Sequence, residues 1–221
     1  MPFPQVAATN GGNHASNSTS HTVNLPTGIV AGNLLLVFFS SDAAPTITFP
    51  EGWTELFTKS YSTSIKGGLW YKVADGEEGA SISVDTSSSQ MTAHTSYRIT
   101  GFSGTPEAGV AVSSSGAPSN PPSLSPTWGA KDTLWFFCCA INGEDPFVSI
   151  DSYPANYGNG RYDYSDDAEG AGMGTARREL NTETEDPGAW TMSNTPRNMA
   201  NTIAIQPAAA AAGRSFGFIM G

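Results

Sequence analysis

The chain has 221 residues, of which 14% are charged, and its 20 acidic and 10 basic side chains give a net charge of −10. Nucleic acids and anionic membrane surfaces attract proteins through clustered Lys and Arg, so this composition argues against both as partners. We expect a protein that is made soluble in the cytoplasm. Residues 1–5 do not begin a signal peptide, and the longest apolar run, residues 34–39, is too short to cross a bilayer.

Residues 1–24 form an N-terminal segment that is polar and low in complexity between residues 10 and 20 and that leads into the first strands. Short runs then predict strands along most of the chain. Two runs are apolar throughout, as in strands buried on both faces, namely 34–39 and 133–141. The others alternate between apolar and polar residues, namely 69–73, 82–84, 91–100 and 203–205. Turn sequences such as Pro50-Glu51-Gly52 separate these runs.

These features predict an all-β fold, an antiparallel β-sandwich of jelly-roll-like type with extended N- and C-terminal segments. Residues 25–207 form the sandwich, and residues 25–112 and 129–207 echo each other. In each half an apolar run leads to a turn with Pro and an aromatic residue, then to an acidic turn, then to an alternating strand. Two tandem domains and one sandwich of two similar strand sets both fit. We favour one sandwich, because the apolar central runs need a partner sheet to cover them.

Strand 91–100 is predicted to turn Met91, Ala93, Tyr97 and Ile99 toward the core, and its other face is hydrophilic. His94 lies on that hydrophilic face. We interpret it, with His14 and His21, as a solvated or hydrogen-bonded side chain. Cys138 and Cys139 are adjacent, point to opposite faces and are predicted to fill a buried strand.

Catalytic signatures are weak. The nearest approach to a nucleophile elbow, residues 101–105, lacks the final glycine, and the carboxylates of Glu77 and Glu78 are typical of a solubilising turn. We therefore predict a protein that is not an enzyme and has no cofactor. A hydrolase is the least favoured alternative.

Two surface features remain as candidate binding sites. Four tyrosines near an adaptable loop are candidates for a surface that faces a ligand or host, namely Tyr153, Tyr157, Tyr162 and Tyr164. Structural packing is the favoured interpretation of these rings. Oxygen ligands at alternate positions can hold Ca²⁺, which makes Asp163, Asp167 and Glu169 a weak calcium candidate. A solvated acidic loop is favoured over a metal site, because the glycine and the closing Glu of an EF-hand loop are missing.

The C-terminal segment, residues 208–221, ends in apolar side chains that are costly to leave in water. We predict that it is a docking arm that buries Phe216, Phe218, Ile219 and Met220 against a neighbouring subunit.

Several segments together resemble an arrangement found in tailed-bacteriophage virion structural proteins. They are Ala31-Gly32-Asn33 before the run 34–38, Pro50-Glu51-Gly52-Trp53-Thr54, residues 69–78, Ala189-Trp190-Thr191 and residues 201–207. The resemblance implies a β-sandwich capsid decoration protein, head fibre or tail component in the virion. Its partners would be capsid or tail subunits, and we expect a homo-oligomer. The alternative is a carbohydrate-binding module or adhesin that binds host glycans through loop aromatics.

Overall fold

The structure is a computed structural model that describes residues 2–143, 147–165, 170–194 and 196–209. The described residues form strands and connecting turns, and none of them lies in a helix. No segment of this part of the chain is therefore a helix able to span a membrane. Two antiparallel sheets of six strands each confirm the predicted β-sandwich.

Fourteen strands are present in the described residues. They are β1 (Gln5–Asn24), β2 (Leu34–Ser41), β3 (Ile47–Thr48), β4 (Thr54–Tyr61), β5 (Ile65–Val73), β6 (Ser81–Thr100), β7 (Glu107–Ala108), β8 (Val112–Ser114), β9 (Lys131–Asn142), β10 (Ile150–Ser152), β11 (Gly158–Tyr164), β12 (Ala171–Thr182), β13 (Thr191–Met192) and β14 (Asn198–Ile205).

Each half of the chain builds one sheet, and both sheets have the same strand order. The first sheet runs β1-β6-β2-β5-β4, with β3 paired to β6. The second runs β7-β14-β9-β12-β11, and the short strand β8 also pairs with β14. In the first sheet the last strand, β6, lies between β1 and β2. In the second sheet the last strand, β14, lies between β7 and β9. The similarity between the two halves of the sequence thus corresponds to a shared strand order in the two sheets. Strands β7 and β8 belong to the second sheet. The sequence pattern instead predicts that residues 107–112 belong to the first strand set, 25–112.

The contacts between the two sheets follow a two-fold pattern, in which corresponding strands of the two sheets exchange the same contacts. Edge strand β4 packs across β7 and β8, and its counterpart β11 packs across β1. Likewise β5 faces β14, and β12 faces β6. A contact in which each partner uses the same surface is the geometry of a symmetric homodimer. Here one chain supplies both partners.

The space between the sheets is filled by one hydrophobic core drawn from both. The central strands β2 and β9 contribute Leu36, Phe38 and Phe136, all of which are completely buried. The rings of Phe38 and Phe136 lie 5.6 Å apart, and Tyr97 contacts both. Burial of an aromatic or aliphatic side chain stabilises the fold by roughly 1.5–3 kcal/mol, so this row is a principal source of cohesion between the halves.

The outer face of each sheet is also buried, because connections within the same half fold over it. Over the first sheet, Phe49 stacks on Trp70 with ring centroids 4.4 Å apart, beside Trp53. Over the second sheet, Trp190 packs on Phe137 at 5.5 Å. This double coverage is why β2 is apolar from Leu34 to Phe39 and β9 from Leu134 to Ile141, as the sequence predicted for strands buried on both faces.

The first sheet has a further cover, made when β1 and β6 bend together and double back. Residues 5–14 pair with 92–100 and residues 20–24 pair with 81–85, with register shifts between His14 and Ser20. Asn24 nevertheless donates a hydrogen bond to the carbonyl of Gly11 at 3.1 Å. A straight strand would separate two residues 13 positions apart by roughly 43 Å. We call the returning two-stranded segment, residues 19–25 and 81–86, the ribbon.

The ribbon buries the face of β6 that the sequence predicts to be hydrophilic. Thr92, His94 and Ser96 are at most 1% exposed. Their hydrogen bonds go to the ribbon: Ser96 donates to the carbonyl of Asn24 at 2.7 Å. The small polar side chains of this face therefore meet backbone groups of a second layer instead of solvent.

Candidate functional site

The strand register defines two ends of the sandwich. At the terminal end, Gln5 pairs with Thr100 and Leu34 with Val73 in the first sheet, and Leu134 pairs with Ile205 in the second. At the distal end lie the bend of β1 and β6 and the described residues that follow β2, β9 and β11, namely residues 14–18, 42–46, 86–90, 143, 147–149, 165 and 170.

Both chain ends leave the sandwich at the terminal end, beside the turn 101–103. The backbone of Gly101 lies against Phe3, and Phe102 forms a β-bridge with Pro207. Ser103 donates through its hydroxyl to the carbonyl of Pro207 at 2.7 Å, and the N–H of Ala208 donates to Gly101 at 2.8 Å. The chain is therefore held in place up to the point where the C-terminal segment begins.

The predicted docking arm starts at this point. Its first two residues, Ala208 and Ala209, are described, and the anchors follow in residues 210–221, outside the described residues; they are Phe216, Phe218, Ile219 and Met220. Near the exit the sandwich exposes two large apolar side chains, Val30 at 57% and Val73 at 51%. The turn containing Val30 is bonded to the end of β5 through Gly32 and Ala74.

A cleft of about 460 Å³ opens on the outer side of the terminal end. Residues 24–29 form one wall and residues 78–80 the other, with Asn10 at its floor. Its two asparagine side chains are engaged within the fold: Asn10 donates to the carbonyl of Leu25 at 2.9 Å and Asn24 to that of Gly11 at 3.1 Å.

The acidic turn beside this cleft is closed on itself. The carboxylate of Glu78 accepts the backbone N–H groups of Asp75 at 3.0 Å and Gly76 at 3.1 Å, and it pairs with Lys72 at 2.9 Å. Burial raises the pKa of Glu78, but the bonds from Lys72 and the turn amides outweigh it and leave that pKa below its usual value. Glu78 thus acts as the acceptor that shapes the turn.

The four predicted loop tyrosines are placed in two different environments. Tyr157 is 9% exposed; its hydroxyl donates to Glu185 at 3.1 Å, and Arg178 lies over its ring. Tyr153 packs on Phe137 and donates to the carbonyl of Arg161 at 2.8 Å. These two rings belong to the layer that covers the second sheet.

The other two tyrosines form an aromatic cluster at the distal end with Phe147. The rings of Phe147 and Tyr164 meet edge to face at 4.7 Å, and Tyr164 stacks on Tyr162 at 5.9 Å. Tyr162 donates to the carbonyl of Val148 at 2.9 Å, which holds the cluster to the backbone. Phe147 is 55% exposed, and it is the member of this cluster that the sequence analysis missed. We call these three residues the distal aromatic cluster.

Asp163, the first of the calcium candidates, lies at the edge between the two sheets. Its carboxylate accepts a hydrogen bond from Thr95 at 2.8 Å and faces Arg161 at 3.5 Å. Burial raises its pKa, and Thr95 and Arg161 partly offset that effect. The remaining candidates, Asp167 and Glu169, lie outside the described residues. Among the residues that the structure describes, no three acidic, His or Cys side chains converge as metal ligands.

Comparison with protein-family models, with curated proteins and with solved structures finds no match to this chain.

Proposed function

We propose that this protein is a non-enzymatic structural component of a phage particle, anchored to a capsid or tail subunit through its terminal end. The observation that carries the proposal is the arrangement of the ends. The two chain termini leave together beside residues 101–103, and the distal aromatic cluster lies at the opposite end. A protein anchored at the termini presents its distal end outward.

The apolar composition of the C-terminal segment also supports anchoring at the terminal end. Four large apolar side chains lie within residues 216–220, eight or more positions after the chain is last held in place at Pro207 and Ala208. Buried aromatic anchors carry a large share of the affinity in protein interfaces. The exposed Val30 and Val73 extend the apolar surface available at this end.

The test is incorporation into particles assembled from the same genome without this gene. Full-length protein is added, and the fraction that sediments with particles is compared with that of a chain lacking residues 213–221. Loss of sedimentation with unchanged circular dichroism is expected. As a matched control, Val110→Ser changes a side chain that is 87% exposed in the connection between β7 and β8, and it should sediment as the full-length chain does. Equal sedimentation of the truncated chain contradicts the docking role.

A second function, binding of host glycans, is favoured by the distal aromatic cluster. An exposed ring held edge to face against a second ring offers an apolar surface on which a sugar can stack. On a glycan array, Phe147→Ala should abolish any signal, whereas Val110→Ala should retain it. Repeating the array with EDTA separates a calcium-dependent signal from direct stacking. Absence of signal for the unmodified protein contradicts this function and leaves the anchoring proposal intact.

A further inference from the structure

Two buried histidines fasten the ribbon to the first sheet, one from each layer. His94 lies on β6 within the sheet, and its Nε2 accepts the backbone N–H of Asn24 in the ribbon at 2.9 Å. His21 lies in the ribbon, and its ring sits between the hydroxyl of Thr86 at 2.9 Å and that of Thr92 at 3.2 Å. Both side chains are 1% exposed.

The bond to Asn24 exists only when the imidazole of His94 is neutral. A protonated ring carries hydrogen on both nitrogens and cannot accept a hydrogen bond. Protonation therefore removes the acceptor and sets two N–H donors face to face. A buried backbone N–H left without a partner destabilises the arrangement that buries it.

The charged groups around the two rings do not favour their protonation. Arg161 faces His94 from β11, beside Asp163. His21 faces Asp85 across the ribbon and the ring of His14 at 5.4 Å. Asp85 alone attracts a proton to His21, and burial together with His14 outweighs it.

We propose that the ribbon is an acid-sensitive cover, which lifts from the first sheet when His21 and His94 are protonated and exposes the apolar surface beneath it. That surface contains Val37 and Phe39, which form one buried cluster with the ribbon residues Val23 and Val84, and the ring of His21 lies 6.0 Å from that of Phe39. Because strands β2, β5 and the rest of the core hold the sheet independently of the ribbon, opening leaves the sandwich in place.

The pH window follows from the two protonation states. Burial lowers the pKa of His21 and of His94 to about 4, from 6.5. The open form therefore binds protons more tightly than the closed form, and closure is strongest above pH 6.5 and weakens as the pH falls toward 4. At pH 4.5 the opening equilibrium increases roughly 80-fold for each histidine.

Hydrogen exchange of the full chain at pH 7.0 and 4.5, corrected for intrinsic exchange rates, tests this. Residues 19–25 and 81–86 should lose protection at pH 4.5 while β9 and β14 retain theirs, and the dye ANS should bind at the same pH. His94→Gln keeps an acceptor for Asn24 but does not titrate, so it should reduce the acid response roughly 80-fold, as should His21→Gln. His14→Gln, a change at the half-exposed bend, should retain most of the response.

Two results overturn the proposal. One is simultaneous loss of protection in the ribbon and in β9 and β14, which shows global unfolding. The other is an acid response of the doubly substituted His21→Gln/His94→Gln chain equal to that of the unmodified protein. If a variant does not fold, NMR titration of the histidine Cε1 protons in the unmodified protein tests the proposal instead, because it measures the pKa of each histidine directly. Titration near pH 6.5 without any change in the ribbon amides then contradicts the proposal.

Discussion

The hydroxyl of Tyr97 in the first sheet lies 2.6 Å from the hydroxyl of Thr175 in the second, in the buried space between the sheets. Tyr97 is 1% exposed, and burial raises its pKa to about 12. It is a polar link between the two halves within a largely apolar core, and together with the bond from Thr95 to Asp163 it helps to fix how the sheets are placed relative to each other.

We expect Tyr97→Phe to lower the free energy of unfolding by roughly 1–3 kcal/mol, because it leaves the hydroxyl of Thr175 buried without its partner. Urea denaturation measures the loss. Adding Thr175→Val removes the orphaned group and should recover most of it; a double variant less stable than either single variant contradicts this account. Since the pKa of Tyr97 is raised, the unmodified protein loses stability between pH 10 and 12, and Tyr97→Phe should lose less there.

Gly67 of β5 is a point of close approach between the first sheet and the second. A Cβ at this position would lie 2.5 Å from the Cβ of Ala140 and 3.0 Å from the sulfur of Met199. We expect Gly67→Ala to destabilise the fold by roughly 1–3 kcal/mol through overpacking. Ala140→Gly alone should cost roughly 0.5–1 kcal/mol.

The combined variant Gly67→Ala/Ala140→Gly moves one methyl group from one sheet to the other. Its loss, measured by urea denaturation, should be smaller than the sum of the two single losses. Additive losses show that Ala140 is not the obstacle.

Glu185 is a carboxylate at 4% exposure that is neutralised by Arg178 at 3.0 Å. We expect Arg178→Met to cost roughly 3 kcal/mol, because it leaves this charge buried without its cation, while the hydroxyl of Tyr157 still donates to it. Thermal denaturation at neutral pH measures the loss. Adding Glu185→Gln removes the unpaired charge and should restore part of the stability, and a further fall in the double variant argues against a buried ion pair.

The turns before β4 and β11 correspond between the two halves. The backbone N–H of Trp53 donates to the carbonyl of Pro50, and the backbone N–H of Tyr157 donates to that of Pro154. The residues that precede them, Gly52 and Asn156, have φ angles of 86° and 66°. We expect Gly52→Ala to cost roughly 1–2 kcal/mol, since the left-handed conformation is strained for Ala, whereas Gly52→Asn should cost less because Asn adopts it more readily.

At the second turn the reverse pattern tests the correspondence. Asn156→Ala should be destabilising and Asn156→Gly close to neutral in the same denaturation assay. If Ala and Gly behave alike at position 156, the two turns are not equivalent.

Individual strands and residues show how much of the structure could be predicted from the sequence. The central strands β2 and β9 and the all-β class were predictable, because a strand buried on both faces must be apolar at successive positions. The complete burial of Trp135, which lies within the apolar run 133–141, was predictable for the same reason. His94 was placed correctly on the polar face of β6, but its burial was not predicted. Alternation reports which residues share a face and does not report what covers that face.

The sequence by itself determined the strand character of the chain and the echo between its halves, since both are written in local patterns of apolar residues and turns. The tertiary structure decided that the halves face each other as a two-fold pair, that the ribbon doubles back over the first sheet, and that both termini leave at one end. Each of these depends on contacts between residues tens of positions apart, such as Tyr97 with Thr175 and His94 with Asn24. Local patterns do not encode those partners, because many pairings of the same strands bury the same apolar area.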